Sequence, residues 1–371
     1  DRASGRFETS SYWAEGQPSW LEALNDSGLA DSLAAEPWAL SRPLPVYERS
    51  RGEALWPDEA DVGGFPYPPA AEGSTPDRFA PSFATRPYLD ELTFAVARAA
   101  VEHHGLGEDE IPDLLWVGAS AADFIGHGYG PFSREVQDHF LRLDAMLGDF
   151  LAWLDERLGG AYVVALSSDH GVLPMPEELA RRGYDAGRIP ADSLATSLRR
   201  ALDAATTAAG VDAQVAAGLI VLDAYMMFPE DVAEPTRRDI RSRTAATLRR
   251  LPGIADVVTL DEVQDSTTAR PLVALYRNSW FPGRSPDLWI RPRDGWLAGL
   301  GDRITAHIAP YDYDLRVPLI LAGPGIVPGR YGRAVATVDL APTLAALLAV
   351  EAGDVDGSPL HEALAGGIDN R

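Results

Sequence analysis

The chain has 371 residues, a formal net charge of -23 and no cysteine. Its length allows a sizeable core and more than one folded unit, and its acidity argues against wrapping nucleic acid, which needs a basic surface. Without sulfur there are no disulfides or thiolate sites, so a metal ion would have to be held by His, Asp or Glu.

No apolar run approaches the roughly 20 residues of a membrane helix, so no membrane span is expected. The opening stretch DRASGRFETSSYW has neither the basic start nor the apolar core of a signal peptide. Residues 57–87 are rich in Pro and Gly and predict a long irregular excursion. A helix is expected over 89–104, stopped by Gly105. DLLWVGAS (113–120) has the length and composition of a buried strand. Ser133 is placed to cap a long helix. Val136, Phe140, Leu143, Leu147, Phe150, Leu151, Leu154 and Leu158 recur on one face of it, and Gly159 and Gly160 end it. AYVVALSS (161–168) follows as a second buried strand. Strand, helix, strand is the βαβ pattern of a parallel sheet.

Residues 175–300 change character. Helical stretches near 192–209 and 235–250 alternate with strand-like pieces in GLIVLDAYMMF, ADVVTL and PDLWIRP. This predicts an α+β insertion or cap between two parts of a core, 1–174 and 301–371. RVPLILAG (316–323) is a third expected buried strand, and 337–350 a helix with Asp339 as its N-cap. The fold class expected is α/β, a mostly parallel sheet flanked by helices. No internal repeat or low-complexity tract interrupts it.

In open parallel sheets, ligands bind beyond the carboxyl ends of the strands. Asp123 and His127 follow the first expected strand in ADFIGHGYGPF. Asp169 and His170 follow the second in VVALSSDHGVLP, and His307 precedes the third. Asp and His together form a donor set for zinc or a similar divalent ion. Gly126, Gly128 and Gly171 would let the backbone turn sharply and pass close to a metal. The other histidines read as ordinary: His103 and His104 at a helix end, His139 mid-helix, His361 near the C-terminus. Asp312 and Asp314 read as turn or supporting groups.

The stretches ASAADFIGHGYGPFSREVQDHFLRLDAMLGDFL, LSSDHG and HIAPYDYDLRVPLILAGPGI resemble the alkaline phosphatase superfamily. The likeness is greatest to bacterial phosphate-irrepressible alkaline phosphatases and the related type I phosphodiesterase/nucleotide pyrophosphatase branch. LPGIADVVTLDE and FPGRSPDLWIRPRDGW extend it over nearly the whole chain. The resemblance implies an alkaline-phosphatase-like fold and a site with two zinc ions, or other divalent metals. Asp123, His127 and His307 would hold one ion, Asp169 and His170 the other. It also implies a small phosphate ester as substrate and a periplasmic or secreted location.

Family members carry a further metal-binding Asp and a Thr or Ser nucleophile upstream of the ADFIGH stretch. Thr9, Ser10 and Ser11 do not resemble the nucleophile motif. The chain is therefore expected to be the C-terminal portion of a catalytic domain. The nucleophile would lie upstream of Asp1, in the same polypeptide or on a second chain. The implied reaction is hydrolysis of phosphate monoesters through a phosphoryl-enzyme intermediate. A phosphodiesterase or nucleotide pyrophosphatase would use the same metals. A chain acting alone is expected to bind metal without turnover.

Overall fold

The structure, a computed structural model, describes residues 4–56, 61–70, 83–212, 215–270, 272–300 and 303–365. Short helices α1 (Ser19–Asn25) and α2 (Leu29–Ala34) precede α3 (Tyr88–His104), α4 (Ala121–Tyr129) and α5 (Arg134–Leu158). The caps of α3 and α5 follow from sequence. Ser133 Oγ accepts the Val136 amide at the start of α5. Gly105 (φ 63°) and Gly159 (φ 62°) end α3 and α5 in the left-handed conformation that costs glycine least. Of the Pro/Gly-rich excursion, 57–60 and 71–82 lie outside the described residues. Within the described part, Tyr67 bridges back to Trp38.

That excursion and the stretch before it are fastened to α5 by buried carboxylates. Asp138 accepts hydrogen bonds from Trp38 Nε1 (2.7 Å), Ser41 N (2.6 Å), Ser41 Oγ (2.7 Å), Tyr47 Oη (2.7 Å) and Arg142 Nε (2.8 Å). Burial pushes the Asp138 carboxyl up, but the donated hydrogen bonds outweigh it and leave the group below the usual carboxylate range. Glu135 accepts from Gly63 N and Tyr67 Oη, both at 2.6 Å. Trp38 and Tyr67 in turn belong to an apolar cluster with Tyr88, Ala121, Ile125 and Tyr129.

Next come β1 (Val164–Ser167), α6 (Pro176–Arg181), β2 (Gly187–Ile189), α7 (Ala191–Ala208), β3 (Ala216–Ile220), β4 (Asp223–Met227) and α8 (Glu234–Leu248). They are followed by β5 (Ile254–Thr259), α9 (Leu260–Gln264), α10 (Val273–Asn278), β6 (Leu288–Pro292), β7 (Trp296–Ala298), α11 (Asp312–Leu315), β8 (Leu319–Ala322) and α12 (Leu340–Leu347). Strands β3, β4, β6 and β5 form an antiparallel sheet in that order. Leu194, Leu198 and Leu202 of α7 and Ile240 and Leu248 of α8 bury themselves against Val257, Leu288 and Ile290 of this sheet. This unit has its own core and carries the helices and strands expected within 175–300.

The α/β class is as expected, but the strand pairing differs from the parallel sheet read from sequence. β1 pairs with β8 antiparallel, Val164 opposite Ala322 and Ser167 opposite Leu319. The described parallel ladder is β2 with β7. Residues 113–120, expected as a buried strand, carry no strand assignment, and Leu114 and Trp116 are 71% and 79% exposed. β1 and β8 are half-buried or exposed along their length rather than fully buried. An apolar run encodes a preference for burial. It does not encode which neighbour covers it, nor the direction of that neighbour. Asp339 stands just before α12, yet its oxygens accept the amides of Ala336 and Ser358 (both 2.9 Å) instead of capping the helix.

Candidate metal centre

Asp123 and His127 do not lie in a glycine loop. Both belong to α4, four residues and about one turn apart, so they project from the same face. Gly126 and Gly128 are helical positions rather than sharp turns. At Gly128 a Cβ would meet only Thr85 Cγ2, at 3.6 Å, and at Gly126 it would meet nothing within 4 Å. Gly171 does serve a close approach, but to protein: a Cβ there would overlap the Tyr313 carbonyl oxygen.

Backbone pairing delivers the other ligands. The Leu173 amide donates to Ala306 O (3.1 Å), and Thr305 Oγ1 donates to Leu173 O. The stretch after β1 is thereby held against the stretch carrying His307. The rings of His170 and His307 stack, with centroids 3.4 Å apart and planes at 8°. Asp314 supports both stretches: its carbonyl accepts the Gly171 amide (2.8 Å) and its Oδ2 accepts the Ala309 amide (2.9 Å). Burial pushes the Asp314 carboxyl up to about 6.

Backbone carbonyls bear on the tautomers. His127 Nδ1 lies 3.0 Å from Thr305 O and His170 Nδ1 lies 2.8 Å from Gly171 O, so with a proton on each Nδ1 donated to these carbonyls, each Nε2 would be free to bind a metal ion. His127 Nε2 is 3.2 Å from His307 Nε2, and Asp123 Oδ1 is 3.3 Å from each. Ligand atoms of Asp123, His170 and His307 all fall within 4.8 Å of one another. The hydrogen bond to His127 draws the Asp123 carboxyl below its usual range against the opposing effect of burial. Burial, then the proximity of His170, depresses His307 despite the attraction of Asp123. A carboxylate and imidazoles converging at this distance are a donor set that fits a divalent cation such as zinc.

Asp169 lies beside this cluster. Its Oδ2 is 3.4 Å from His170 Nε2, and its side chain is 84% exposed. The histidines read as ordinary sit elsewhere: His103 and His104 against Trp20, His139 buried against Asp90, His361 in a short turn over 361–363. Thr305, which orients His127, was not singled out in the sequence. It lies two residues before His307, where a hydroxyl carries no distinctive signal.

Residues 1–312 match the sequence profile of the type I phosphodiesterase / nucleotide pyrophosphatase family. The chain belongs to this family. Over 98% of its length it is 29% identical to alkaline phosphatase PafA of Elizabethkingia meningoseptica, spanning 67% of that protein. It is 26% identical to alkaline phosphatase PhoV of Synechococcus elongatus over 95% of its length, spanning 63% of that protein. The crystal structure of wild-type PafA superposes with a TM-score of 0.85 at 27% identity, covering 98% of this chain and 70% of that one. The chain thus spans about two thirds of the length of these relatives. Family members named as alkaline phosphatases are metal-dependent hydrolases.

Proposed function

We propose that this protein hydrolyses phosphate monoesters at a centre of two zinc ions held by Asp123, His127, Asp169, His170 and His307. The observation that carries this is the meeting of Asp123 Oδ1 with the Nε2 atoms of His127 and His307, held 3.2–3.3 Å from one another by separate parts of the chain. Its alignment with PafA over 98% of its length favours the monoester substrate. Bound zinc would supply Lewis-acid stabilisation of charge on the phosphoryl group and the leaving oxygen.

The chain's own residues prepare that site. With a metal bound, the Thr305 carbonyl would hold the proton of His127 on Nδ1 and leave Nε2 for the ion. The Gly171 carbonyl would do the same for His170. Asp123, held ionised by His127, offers a formal charge at the point where the imidazoles meet. A chain of net charge -23 needs a locally positive site to admit an anionic ester, and a metal-loaded cluster provides one. Asp123, His127 and His307 are assigned to one ion, Asp169 and His170 to the other.

Among the described residues none is assigned as the nucleophilic hydroxyl. The unit within 175–300 is read as a cap over the core formed by 1–174 and 301–371. A periplasmic or secreted location accompanies this function. The test is the rate of the full-length protein on p-nitrophenyl phosphate against bis-p-nitrophenyl phosphate, with zinc and with a chelator. Faster monoester hydrolysis, lost on chelation, is expected. A preference for the diester would move the protein to the phosphodiesterase reading, and zinc binding without either reaction would leave a non-catalytic metal-binding protein.

A further inference from the structure

The helix that carries Asp123 and His127 begins inside the protein. Ala121, its first residue, is fully buried, and Ser120 before it makes no side-chain cap. The first amides of a helix have no intrahelical acceptor, and a buried one cannot turn to water. The Ala121 amide instead donates to Asp90 Oδ1 at 3.1 Å. Asp90 comes from the first turn of α3 and is itself fully buried. A carboxylate at the N-terminal end of α4 is also favoured by the helix dipole. The other oxygen, Oδ2, lies 3.2 Å from Nε2 of His139 on α5, another fully buried side chain, although the two are not aligned as a hydrogen bond. One carboxylate therefore joins α3, α4 and α5 at a point two residues from a metal ligand.

We propose that Asp90, backed by His139, is a positioning residue for the metal centre. It fixes the start of α4 and with it the setting of Asp123 and His127 against His307. Burying a carboxylate is costly unless hydrogen bonds and a partner offset it. An apolar residue at 90 would avoid that cost but leave the Ala121 amide without an acceptor. The carboxylate's location is thus explained by the helix it holds, and that helix supplies two ligands from one face. His139, which looked like a bystander in the sequence, bears on the centre from behind without touching a metal. This inference rests on the metal-site reading above.

The test compares zinc dissociation constants, by competition with a chromophoric chelator, in the full-length protein and in Asp90→Ala, Asp90→Asn and Asp138→Asn. Groups hydrogen-bonded to metal ligands typically change metal affinity about 10–100-fold; Asp90 acts one step further out, through the Ala121 amide, so Asp90→Ala should weaken zinc by up to about tenfold. Asp90→Asn keeps an oxygen for the Ala121 amide and should retain zinc affinity close to that of the parent. If Asp90→Ala is not recovered folded, Asp90→Ser, too short to replace the carboxylate, takes its place with the same expectation. Asp138→Asn disturbs the neighbouring position on α5, whose hydrogen-bond partners all lie outside α4, so it should lower the melting temperature while leaving zinc affinity unchanged. Unchanged affinity in Asp90→Ala, or equal weakening in Asp138→Asn, would overturn the proposal. Hydrogen exchange of the 121–129 amides without metal gives a second readout. Asp90→Ala should accelerate it relative to Asp138→Asn. If the parent protein binds no zinc, the metal reading fails, while the exchange comparison still decides whether Asp90 holds α4.

Discussion

His127 and His307 stand 180 residues apart in sequence, yet their Nε2 atoms face each other at 3.2 Å. With its Nδ1 proton donated to the Thr305 carbonyl, His127 would offer its Nε2 lone pair to a metal ion in that gap. Asp123 Oδ1 adds a carboxylate oxygen at 3.3 Å from both rings. A cation between them would satisfy all of these acceptors at once. His127→Ala and His307→Ala should therefore each lower bound zinc substantially, since each removes one of few ligands. His361→Ala, in a distant turn, should retain the full complement. Elemental analysis of the purified proteins decides this, and full occupancy in both ligand variants would remove the assignment.

Metal should also stabilise the fold. A ligand that binds only the native state stabilises it by mass action, about 4 kcal/mol at a thousandfold excess over its dissociation constant. The cluster draws on α4, the stretch after β1 and the stretch before α11, so occupancy ties together parts distant in sequence. Thermal melting with excess zinc and after chelation should show a clear fall on metal removal. Coincident midpoints would count against native-state metal binding.

The candidate ligands were legible in the sequence because each sits in a short local signal: an acid and a histidine spaced for one helical turn, an Asp-His-Gly after an apolar run, a histidine before another. Three things were less legible. The local structure at Asp123 and His127 is helical, because glycines at 126 and 128 reduce helix propensity without forbidding a helix. The antiparallel pairing of β1 with β8 is not written in the sequence, because Val164–Ser167 and Leu319–Ala322 carry no record of their mutual direction. Asp90, Thr305 and Asp314 bear on the ligands through backbone hydrogen bonds to segments distant in sequence, Ala121, His127 and Gly171, and such contacts leave no spacing pattern to read.

Asp138 should set part of the acid sensitivity of the fold. Its carboxyl lies below the ordinary range in the folded protein because Ser41, Trp38 and Tyr47 donate to it, outweighing its burial. A depressed folded value means that the unfolded chain binds the proton more readily. The group's contribution is therefore fully present above the unfolded value of about 3.9 and is lost as pH falls through the folded value. Asp138→Ala leaves the buried Trp38 Nε1 and Tyr47 Oη without their acceptor and should cost roughly 3 kcal/mol at neutral pH. Urea midpoints at pH 7 and pH 3 test both statements. The parent should lose more stability on acidification than Asp138→Asn, and parallel losses would show that the acid sensitivity arises elsewhere.

Two glycines near the cluster should respond oppositely to alanine. At Gly126 an added Cβ meets no heavy atom within 4 Å, and the residue lies inside α4. Alanine there lowers the entropy of the unfolded chain and raises helix propensity, a gain of about 0.5–1 kcal/mol. At Gly171 the same atom would run into the carbonyl oxygen of Tyr313, a backbone group that cannot swing aside. The Gly171 amide also donates to Asp314 O, and the Gly171 carbonyl accepts from His170 Nδ1. Any backbone shift at 171 therefore reaches the ring that stacks on His307. Gly171→Ala should lower both the melting temperature and zinc affinity, while Gly126→Ala should keep zinc and melt at the same temperature or higher. The pair is measured side by side by calorimetry and chelator competition. A Gly171→Ala protein with parental zinc affinity would show that the stretch after β1 can move without disturbing the metal centre.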